Sequence, residues 1–465
     1  MKRVLLLTVL LAGCAAVDRA PPAAGVVLPD AFALLDRERA NDGAVSDLLP
    51  HGDPAFAALH ARALADAPTL AAAVARIDIA RAGLRASRAA RLPALDASGA
   101  IARQRVNPAQ FGGAIPAGAP VEPNRTTFDL GLSASWDADL FGRLRASERA
   151  AAARIGAAGA DAAAVRLSLT ADIAATVIDA RTLAAQAEVV RADIASAADL
   201  VQITQVRSRA GLVPGFDLVR AQSLEADARA RLEPIRSEQA AALGRLVTLT
   251  AIPATEIQAA MELPPAPPMR ALPALAVPSV LLRGRPDIIA AERRLLAADA
   301  EIAAAAAERF PRLSITATLG LFALALGDVF DEASLIGSVG AGLAGPLLDF
   351  GRVGARIDQR QAEAREAFAL YRGAVFTALG ETEAGLGAIN AADARLALLE
   401  RQALLDQDAT ALARERYRRG LDTFLTVLDA ERSANSSRNA AIEAAGQTSR
   451  ARIELYRAIG GAEPK

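Results

Sequence analysis

Arg416-Tyr-Arg-Arg-Gly-Leu-Asp-Thr-Phe-Leu-Thr-Val-Leu-Asp-Ala-Glu-Arg432 lies between two long segments that are compatible with helix. About seventy residues without proline precede Gly420, and helix-compatible sequence continues after it to about Ile459. Gly420 supplies the positive φ that ends a helix, and Asp422 or Thr423 can cap the helix that follows. The stretch is therefore predicted to be the tip of a long helical hairpin.

The same construction occurs once more, earlier in the chain. Arg209-Ala-Gly-Leu-Val-Pro-Gly-Phe-Asp-Leu-Val-Arg-Ala-Gln222 places Gly211 and Leu212 where the later stretch has Gly420 and Leu421. The separation is 209 residues (420 − 211). Two long helical hairpins are therefore predicted, one in each half of the chain.

A second pair of helical runs repeats with a different offset. One run extends from Pro68 to Arg91 and the other from Pro286 to Arg309, which is a separation of 218 residues (286 − 68). The offset returns to 209 at Phe141 and Phe350 (350 − 141). The chain is therefore a tandem duplication whose first copy is nine residues longer (218 − 209) between these two points.

The composition favours long helices over a thick globular core. Hydrophobic residues make up 52% of the 465 residues but aromatic residues only 4%, because the apolar share is dominated by alanine. Alanine is the best helix former and buries little area per residue. The net charge of −1 gives no electrostatic reason to expect nucleic acid as a partner. The single cysteine excludes an internal disulfide.

The segments between the two kinds of helix alternate with a period of two. Apolar residues at every second position, from Phe128 to Trp136, alternate with small or polar ones, as expected of a two-faced β-strand. Leu95 to Arg105, Ser314 to Leu321 and Leu335 to Leu343 behave similarly. Each copy is therefore predicted to contain a β-hairpin.

The spacing of two aromatic residues indicates where this sheet lies. Phe128 and Trp136 are eight residues apart, or about 26 Å along a strand, which matches the apolar band of an outer-membrane barrel. Four strands cannot close a barrel, and an open sheet cannot expose its edges to lipid. Several protomers must then share one barrel. The alternative is a soluble pair of hairpins packed on helices.

The N-terminus has the features of an exported lipoprotein. A short basic region and an apolar run of about nine residues predict a signal peptide. Leu11-Ala-Gly-Cys14 then resembles a bacterial lipobox, so Cys14, the only cysteine, is predicted to be the lipidated (palmitate-bearing) first residue of the mature chain. Ala15 instead of Asp favours the outer membrane. The alternative is an ordinary signal peptide with an incidental cysteine.

These patterns divide the chain into six segments. They are a signal peptide at 1–13, a lipidated arm at 14–54, a first repeat at 55–252 with its β-hairpin at 94–138, a proline-rich linker at 253–283, a second repeat at 284–460 with its β-hairpin at 312–346, and a tail at 461–465.

Pro278-Ser-Val-Leu-Leu-Arg-Gly-Arg-Pro-Asp-Ile-Ile-Ala-Ala-Glu292 resembles the signature of the TolC-like outer membrane efflux proteins. Trp136 to Arg143, Pro346 to Arg352 and Phe424 to Glu431 match further blocks of that family, and the lipobox matches its NodT-type branch, which serves resistance-nodulation-division pumps. The resemblance implies a homotrimer with one 12-stranded β-barrel, four strands from each protomer, and an α-barrel tunnel of twelve helices in the periplasm.

The resemblance also suggests where the channel closes. In this family a leucine and an aspartate four residues later line the periplasmic constriction, and here they match Leu425 and Asp429. Spacing of i and i+4 puts both on one helix face, so a trimer would form a ring of leucines and a ring of carboxylates. The 209-residue offset assigns Phe216 and Arg220 to the equivalent positions, and an Arg220–Asp429 latch is a hypothesis. The alternative makes Asp429 a surface charge and Leu425 a packing residue.

The hairpin tips are the predicted contact with other proteins. By resemblance, a periplasmic membrane-fusion adaptor of an inner-membrane pump meets the turns at Gly211 and Leu212 and at Gly420 and Leu421. The simpler interpretation is that each glycine serves only to turn the chain.

The sequence lacks the common catalytic and cofactor-binding motifs. The sequence has no Gly-x-Ser-x-Gly, His-Glu-x-x-His or P-loop pattern. Gly340-Ala-Gly-Leu-Ala-Gly345 has a dinucleotide-binding spacing but lies in a predicted strand without a βαβ unit. His51 and His60 have no cysteine or carboxylate cluster beside them, so neither an enzyme, a cofactor nor a metal site is predicted.

The sequence thus predicts a lipid-anchored outer membrane exit duct of a tripartite efflux system, exporting small molecules such as drugs or toxic compounds. One alternative keeps the fold and assigns it to type I protein secretion. The others are a periplasmic coiled-coil structural lipoprotein without a pore and an enzyme tethered by Cys14.

Overall fold

The computed structural model describes residues 28–35, 40–41, 44–105, 124–265, 272–273 and 284–461. Its elements in chain order are β1 (Ala40–Asn41), α1 (Pro54–Asp66), α2 (Pro68–Ala89), β2 (Ala94–Arg105), β3 (Asn124–Ala138), α3 (Arg143–Arg209), α4 (Gly215–Thr250), α5 (Ala254–Met261), β4 (Leu272–Pro273), α6 (Pro286–Ala307), β5 (Arg312–Ala323), β6 (Leu335–Ala344), α7 (Arg352–Arg418) and α8 (Phe424–Ala458). The predicted signal peptide, Cys14 and much of the predicted linker lie outside the described residues.

The duplication is visible in the bounds of the elements. α3 and α7 both contain 67 residues, and they begin 209 residues apart (352 − 143). α2 and α6 both contain 22 residues and begin 218 residues apart (286 − 68). β5 likewise begins 218 residues after β2 (312 − 94). The predicted mainly helical fold with four strands is confirmed.

The described residues divide into two compact units. The strand unit contains Ile77–Ala157 and Glu292–Leu370, and the helical unit contains the described parts of Val26–Arg76, Ala158–Ala291 and Tyr371–Lys465. Each unit draws on both copies of the duplication, so the boundaries predicted for the two repeats stay predictions.

The strand unit is built on a four-stranded antiparallel sheet with the order β2-β3-β5-β6. Leu132 lies opposite Ala97 on one side and Leu319 on the other, while Ser133 lies opposite Asp96 and Thr318. Alternation therefore collects apolar residues on one face, as predicted. We call this the apolar sheet face; its members include Leu95, Ile101, Phe128, Leu130, Leu132, Trp136, Ile315, Leu319, Leu321, Leu335, Val339, Ala341 and Leu343.

Most of the apolar sheet face is exposed in the single chain, including Leu95, Leu132 and Val339. Where the strands meet the helices, the ring of Phe141 stacks on that of Phe310, with centroids 4.6 Å apart and planes at 12°. A small core of Ala305, Val353 and Ile357 lies between α6 and α7 in the same unit.

The helical unit has the larger cores. The largest joins α1, α3, α4, α5 and α8, and Phe56, Ile173 and Ile257 are fully buried in it. A second core, which we call the tip core, joins the ends of both hairpins. It consists of Ala197, Leu200, Ala221, Leu224, Ala413, Tyr417, Phe424, Val427 and Leu428.

A buried arginine fastens the end of the chain. Arg285, which precedes α6, pairs with Asp287 at 2.7 Å and with Glu381 of α7 at 2.8 Å, and it donates to the carbonyl oxygen of Ala458 at the end of α8. We call these residues the Arg285 clamp. Burial alone would lower the pKa of Arg285, but the two carboxylates outweigh it and raise that pKa. Arg285 and Asp287, two residues of the family-like signature, therefore have a structural role here.

Two short helices were not predicted. α1 begins after Asp53, whose Oδ1 accepts a hydrogen bond from the amide of Ala55 at 2.8 Å, and Pro54 occupies its first position. Arg181 of α3 donates to Asp53 at 3.0 Å and to the carbonyl oxygen of Met261 at 2.7 Å. That contact attaches both α1 and the short α5, which lies in the predicted linker, to α3.

None of the helices among the described residues is long and apolar enough to cross a bilayer.

Candidate functional site

α8 carries the two residues predicted to close the channel. Leu425 is 49% exposed and Asp429 is also exposed, and they lie one helical turn apart on the same face. Their neighbours Phe424, Val427 and Leu428 point into the tip core. α8 therefore packs on one side and presents an apolar group and a carboxylate on the other.

α4 carries the equivalent pair from the first copy. Phe216 is 61% exposed, and the guanidinium carbon of Arg220 lies 4.5 Å from the centroid of its ring. This cation–π contact holds Arg220 against its own helix. Across the described residues, no ion pair joins Arg220 to Asp429 within the chain, so a latch between them stays a hypothesis about neighbouring protomers.

The hairpin turns have the geometry that the glycines predict. Gly211 and Gly420 have φ of +73° and +74°. The amide of Leu212 donates to the carbonyl of Arg207, and that of Leu421 donates to that of Arg416, both at 2.9 Å. These are the bonds of a Schellman motif, which satisfies the last carbonyls of α3 and α7.

Each turn projects a leucine. Leu212 and Leu421 are both exposed, whereas the turn backbone is held by the bonds just described. After the second turn, Thr423 occupies the N-cap position of α8 without a side-chain cap, and Asp422 instead accepts from the amide of Thr423 and the hydroxyl of Thr426. Of the two predicted caps, Asp422 thus accepts two hydrogen bonds, whereas the hydroxyl of Thr423 lies 3.3 Å from that of Thr426.

Arg207 connects the two hairpins and was not singled out from the sequence. Its guanidinium lies 4.6 Å from the ring centroid of Tyr417 and donates to the carbonyls of Tyr417 and Arg418 at 3.2 and 3.3 Å. A cation at the C-terminal end of α7 is favourable because the last carbonyls there lack helical partners.

A group of charged side chains around the buried carboxylates of Asp193 and Glu431 lies in the helical unit beyond the tip core, joining all four long helices. Its members, which we call the buried charge cluster, are Asp193, Arg231, Arg414, Glu431 and Arg438. Arg438 donates to Asp193 at 2.9 Å, and Arg231 lies 3.6 Å from Asp193. Arg414 bonds to both Glu431 and Ser196.

The electrostatics of this cluster are dominated by burial. The Asp193 side chain is only 1% exposed, and burial raises its pKa while Arg438 and Arg231 oppose the rise. A cavity of ≈10 Å³ lies beside Asp193 and Glu431. That is far below the roughly 300 Å³ of a small-molecule pocket, so the cluster is a helix-joining feature and not a ligand site.

The two predicted interface aromatics lie near opposite ends of β3, on the apolar sheet face. Trp136 is near the helical end, and its indole Nε1 donates to the carbonyl of Arg91 at 2.9 Å. Phe128 is half-buried and lies opposite Ile101 and Ala323. A tryptophan with a satisfied polar edge and an apolar body is typical of membrane interfaces.

The glycines and the histidine His60 that were considered as nucleotide or metal ligands have structural roles instead. Gly340 and Gly342 lie in β6 opposite Thr316 and Ser314, on the polar face and not in a phosphate-binding turn. His60 Nε2 lies 3.0 Å from the hydroxyl of Thr170, its ring stacks on Phe56, and burial lowers its pKa. No group of three potential metal ligands occurs in the part of the chain that is described.

Comparison with known proteins gives one consistent result. The model of the family described as "Outer membrane efflux protein" matches residues 59–251 and 277–461. The chain is 30% identical over 458 residues to the pyoverdine export outer membrane protein OpmQ of Pseudomonas aeruginosa, covering 97% of this chain and 95% of that one. It is 32% identical over 392 residues to the outer membrane protein OprJ of the same species, with 83% and 79% covered.

A solved structure shows the same likeness in three dimensions. The outer-membrane channel OprN superposes with a TM-score of 0.83 at 29% identity, covering 96% of this chain and 98% of that one. The same arrangement of long helices and four strands is therefore present in a protein described as a channel.

Proposed function

The chain belongs to the outer membrane efflux protein family, and from that premise we propose that it forms a trimeric exit duct gated at Leu425, Asp429, Phe216 and Arg220. It is an outer membrane efflux channel, as its family and relatives establish. The trimer, the gate residues and the partners are the proposed part.

The observation that carries the gate proposal is the two-sided character of α8. The tip core fixes one side, and Leu425, which is about half exposed, and Asp429 occupy the other side, outside that core. In a threefold arrangement these residues form two adjacent rings. Leucines resist wetting of a narrow pore, and carboxylates attract cations.

The test is single-channel conductance in planar bilayers. Wild type should show small, cation-selective currents. Asp429→Asn should reduce cation selectivity because it removes the charge at constant size, and Leu425→Ala should increase conductance because it removes the apolar ring. Glu233→Gln removes an exposed carboxylate on α4, far along the helix from the tips, and serves as the matched control.

The conductance results distinguish an error in the proposed gate residues from an error in the proposed channel. Currents that respond equally to all three substitutions, or to none, would remove Leu425 and Asp429 from the gate. No currents from a folded oligomer would contradict the duct itself. If Arg220 and Asp429 pair between protomers, Arg220→Gln and Asp429→Asn should each also increase conductance, and the double variant should add nothing further.

We further propose a passive mechanism within a tripartite system. A periplasmic adaptor would contact the exposed Leu212 and Leu421 at the hairpin turns, and an inner-membrane pump would supply the energy. The efflux and export names of the relatives favour small-molecule efflux over the protein-secretion alternative.

Lipid anchoring at Cys14 completes the proposal. The residue is the only cysteine in the chain and lies outside the described residues. Cys14→Ser should abolish palmitate labelling in cells, while the purified oligomer should still conduct. Labelling that persists in this variant would rule out Cys14 as the acylated residue.

A further inference from the structure

Two arginines of β2 lie on the apolar sheet face, at the end of the sheet away from the long helices. Ile101 is the last apolar residue of β2 on this face. Arg103 follows it opposite Thr126 of β3, and Arg105 ends the strand. Because side chains alternate along a strand, positions 101, 103 and 105 share one face. We call Arg103 and Arg105 the outer arginine pair.

The outer arginine pair lies where an apolar band of membrane thickness ends. Trp136 is near the helical end of the same face, and Thr126 is ten residues away along β3 (136 − 126). Ten residues of strand extend about 33 Å. A strand tilted by about 40° crosses the roughly 25 Å apolar band of an outer-membrane barrel in that same length. With Trp136 at one edge of the band, Arg103 therefore falls at the other edge, and Arg105 falls about 7 Å further along the strand.

No carboxylate among the described residues neutralises this pair. Both arginine side chains are exposed, and neither forms an ion pair with a described aspartate or glutamate. Near the helical end of the sheet, by contrast, Arg143 pairs with Asp137 at 2.8 Å. Asp129 lies towards the same end as the outer arginine pair but on the opposite, polar face. An anion from outside the chain can therefore approach both guanidiniums without meeting a described carboxylate on that face.

The chemistry of the site indicates a phosphate group attached to an apolar body. A guanidinium binds phosphate oxygens in a bidentate manner, and two of them two residues apart on one face can bind a phosphorylated headgroup together. Next to them, Ile101 is 73% exposed and continues into the exposed apolar sheet face. Free phosphate would use the arginines alone. A membrane lipid uses both features, because its phosphate lies just above its acyl chains.

The position of the helices decides which leaflet supplies this lipid. α2 precedes β2, α3 follows β3, α6 precedes β5 and α7 follows β6, so all four adjoin the same end of the sheet. The proposed function places these helices in the periplasm. The opposite end, which carries the outer arginine pair, then lies in the outer leaflet of the outer membrane.

We propose that Arg103 and Arg105 bind phosphate groups on the sugar headgroup of the outer-leaflet glycolipid, while the apolar sheet face contacts its acyl chains. The inference rests on the proposed function for the orientation of the sheet. Exposed acidic residues in the loop between β5 and β6, namely Asp328, Asp331 and Glu332, repel such a headgroup, so the contact belongs to the hairpin of β2 and β3. Binding there fixes the depth of the sheet in the bilayer.

Native mass spectrometry of the full-length protein in detergent measures this contact, with bisphosphorylated lipid A as the probe. Arg103→Gln and Arg105→Gln should each weaken binding about fivefold, and the double variant roughly thirtyfold, which are the factors expected for arginines at an anionic lipid headgroup. Arg125→Gln is the matched control. Arg125 is exposed at the same end of β3 but lies opposite Gln104 on the polar face, so its loss should leave the affinity unchanged.

Two further probes identify the group that is recognised. Lipid A from which both phosphates have been removed should bind the wild type and the double variant equally weakly. A wild-type preference for this probe over the double variant would refute recognition of phosphate. Inorganic phosphate in large excess should not displace bisphosphorylated lipid A from the wild type. Displacement would make the site one for free phosphate and would overturn the assignment to lipid.

Planar-bilayer conductance of the same preparations separates this inference from the proposed function. The wild type and the double variant should conduct alike, because the outer arginine pair faces lipid. Equal binding of bisphosphorylated lipid A by all variants, in channels that conduct, would refute the lipid site and leave the channel standing. A larger loss in Arg125→Gln than in the double variant would place the site on the polar face instead. A wild type that binds lipid as predicted but never conducts would contradict the proposed channel and leave the phosphate contact standing.

Discussion

Removing Arg438 should loosen the helices joined by the buried charge cluster. Arg438 donates to Asp193 at 2.9 Å, and Asp193 is 1% exposed. Breaking a buried pair by deleting one partner costs about 3–5 kcal/mol. Because Arg231 remains 3.6 Å from Asp193, we expect Arg438→Gln to fall at the lower end, about 3 kcal/mol.

Hydrogen exchange measures this loss of stability locally, without the assumption that the whole chain unfolds in two states. A loss of about 3 kcal/mol corresponds to roughly a hundredfold loss of amide protection. It should appear in α3 around Asp193 and in α8 around Arg438. Arg236→Gln, which breaks an exposed pair with Glu233, should change protection by less than about fivefold.

The double variant and the pH dependence sharpen the test. Asp193→Asn should rescue much of the loss in Arg438→Gln, because a neutral amide does not need the cation. Burial already holds the pKa of Asp193 above its ordinary value in the folded state, and losing Arg438 raises that pKa further. The defect should therefore be largest at neutral pH and shrink as pH falls through the folded-state pKa. A defect that neither Asp193→Asn nor acid relieves would refute the reasoning.

Two further predictions concern single residues. Gly420→Ala should destabilise its turn by about 1 kcal/mol because alanine resists a φ of +74°, seen as faster exchange at residues 416–421, whereas Gly373→Ala within α7 should be neutral or stabilising. The reverse order would contradict the turn argument. Because burial lowers the pKa of His60, its contribution to stability is present above 6.5 and is lost as pH falls through the folded pKa, so exchange in α1 should accelerate on acidification. His60→Gln should abolish that pH dependence, and an unchanged profile would exclude His60 as its cause.

Much of the fold was predictable because its signals are local. The long helices end at glycines that adopt positive φ, and the strands alternate strictly, so the predicted limits fall within about two residues of those of α3, α7 and α8. The repeated offsets of 209 and 218 residues predicted the duplication, because they can be read from the sequence without knowing which elements pack together.

The buried charge cluster was not predictable for the opposite reason. Asp193 and Arg438 are charged residues in alanine-rich helices, and their spacing is that of any solvated face. Only the packing of four helices buries Asp193 and pairs it with Arg438, which lies 245 residues away in the sequence. The gate pair Leu425 and Asp429 came from a family resemblance, and their exposure in the protomer is consistent with that role without testing it.

The Arg285 clamp has a consequence for how the protein is made. The guanidinium of Arg285 makes all of its hydrogen bonds only when the carbonyl of Ala458, 173 residues later in the chain, is in place. A chain that emerges N-terminus first therefore cannot bury Arg285 with all of its hydrogen bonds until its last helix has formed. A truncated chain that lacks Ala458 cannot complete the clamp, so the end of α8 is needed to satisfy the residue that precedes α6.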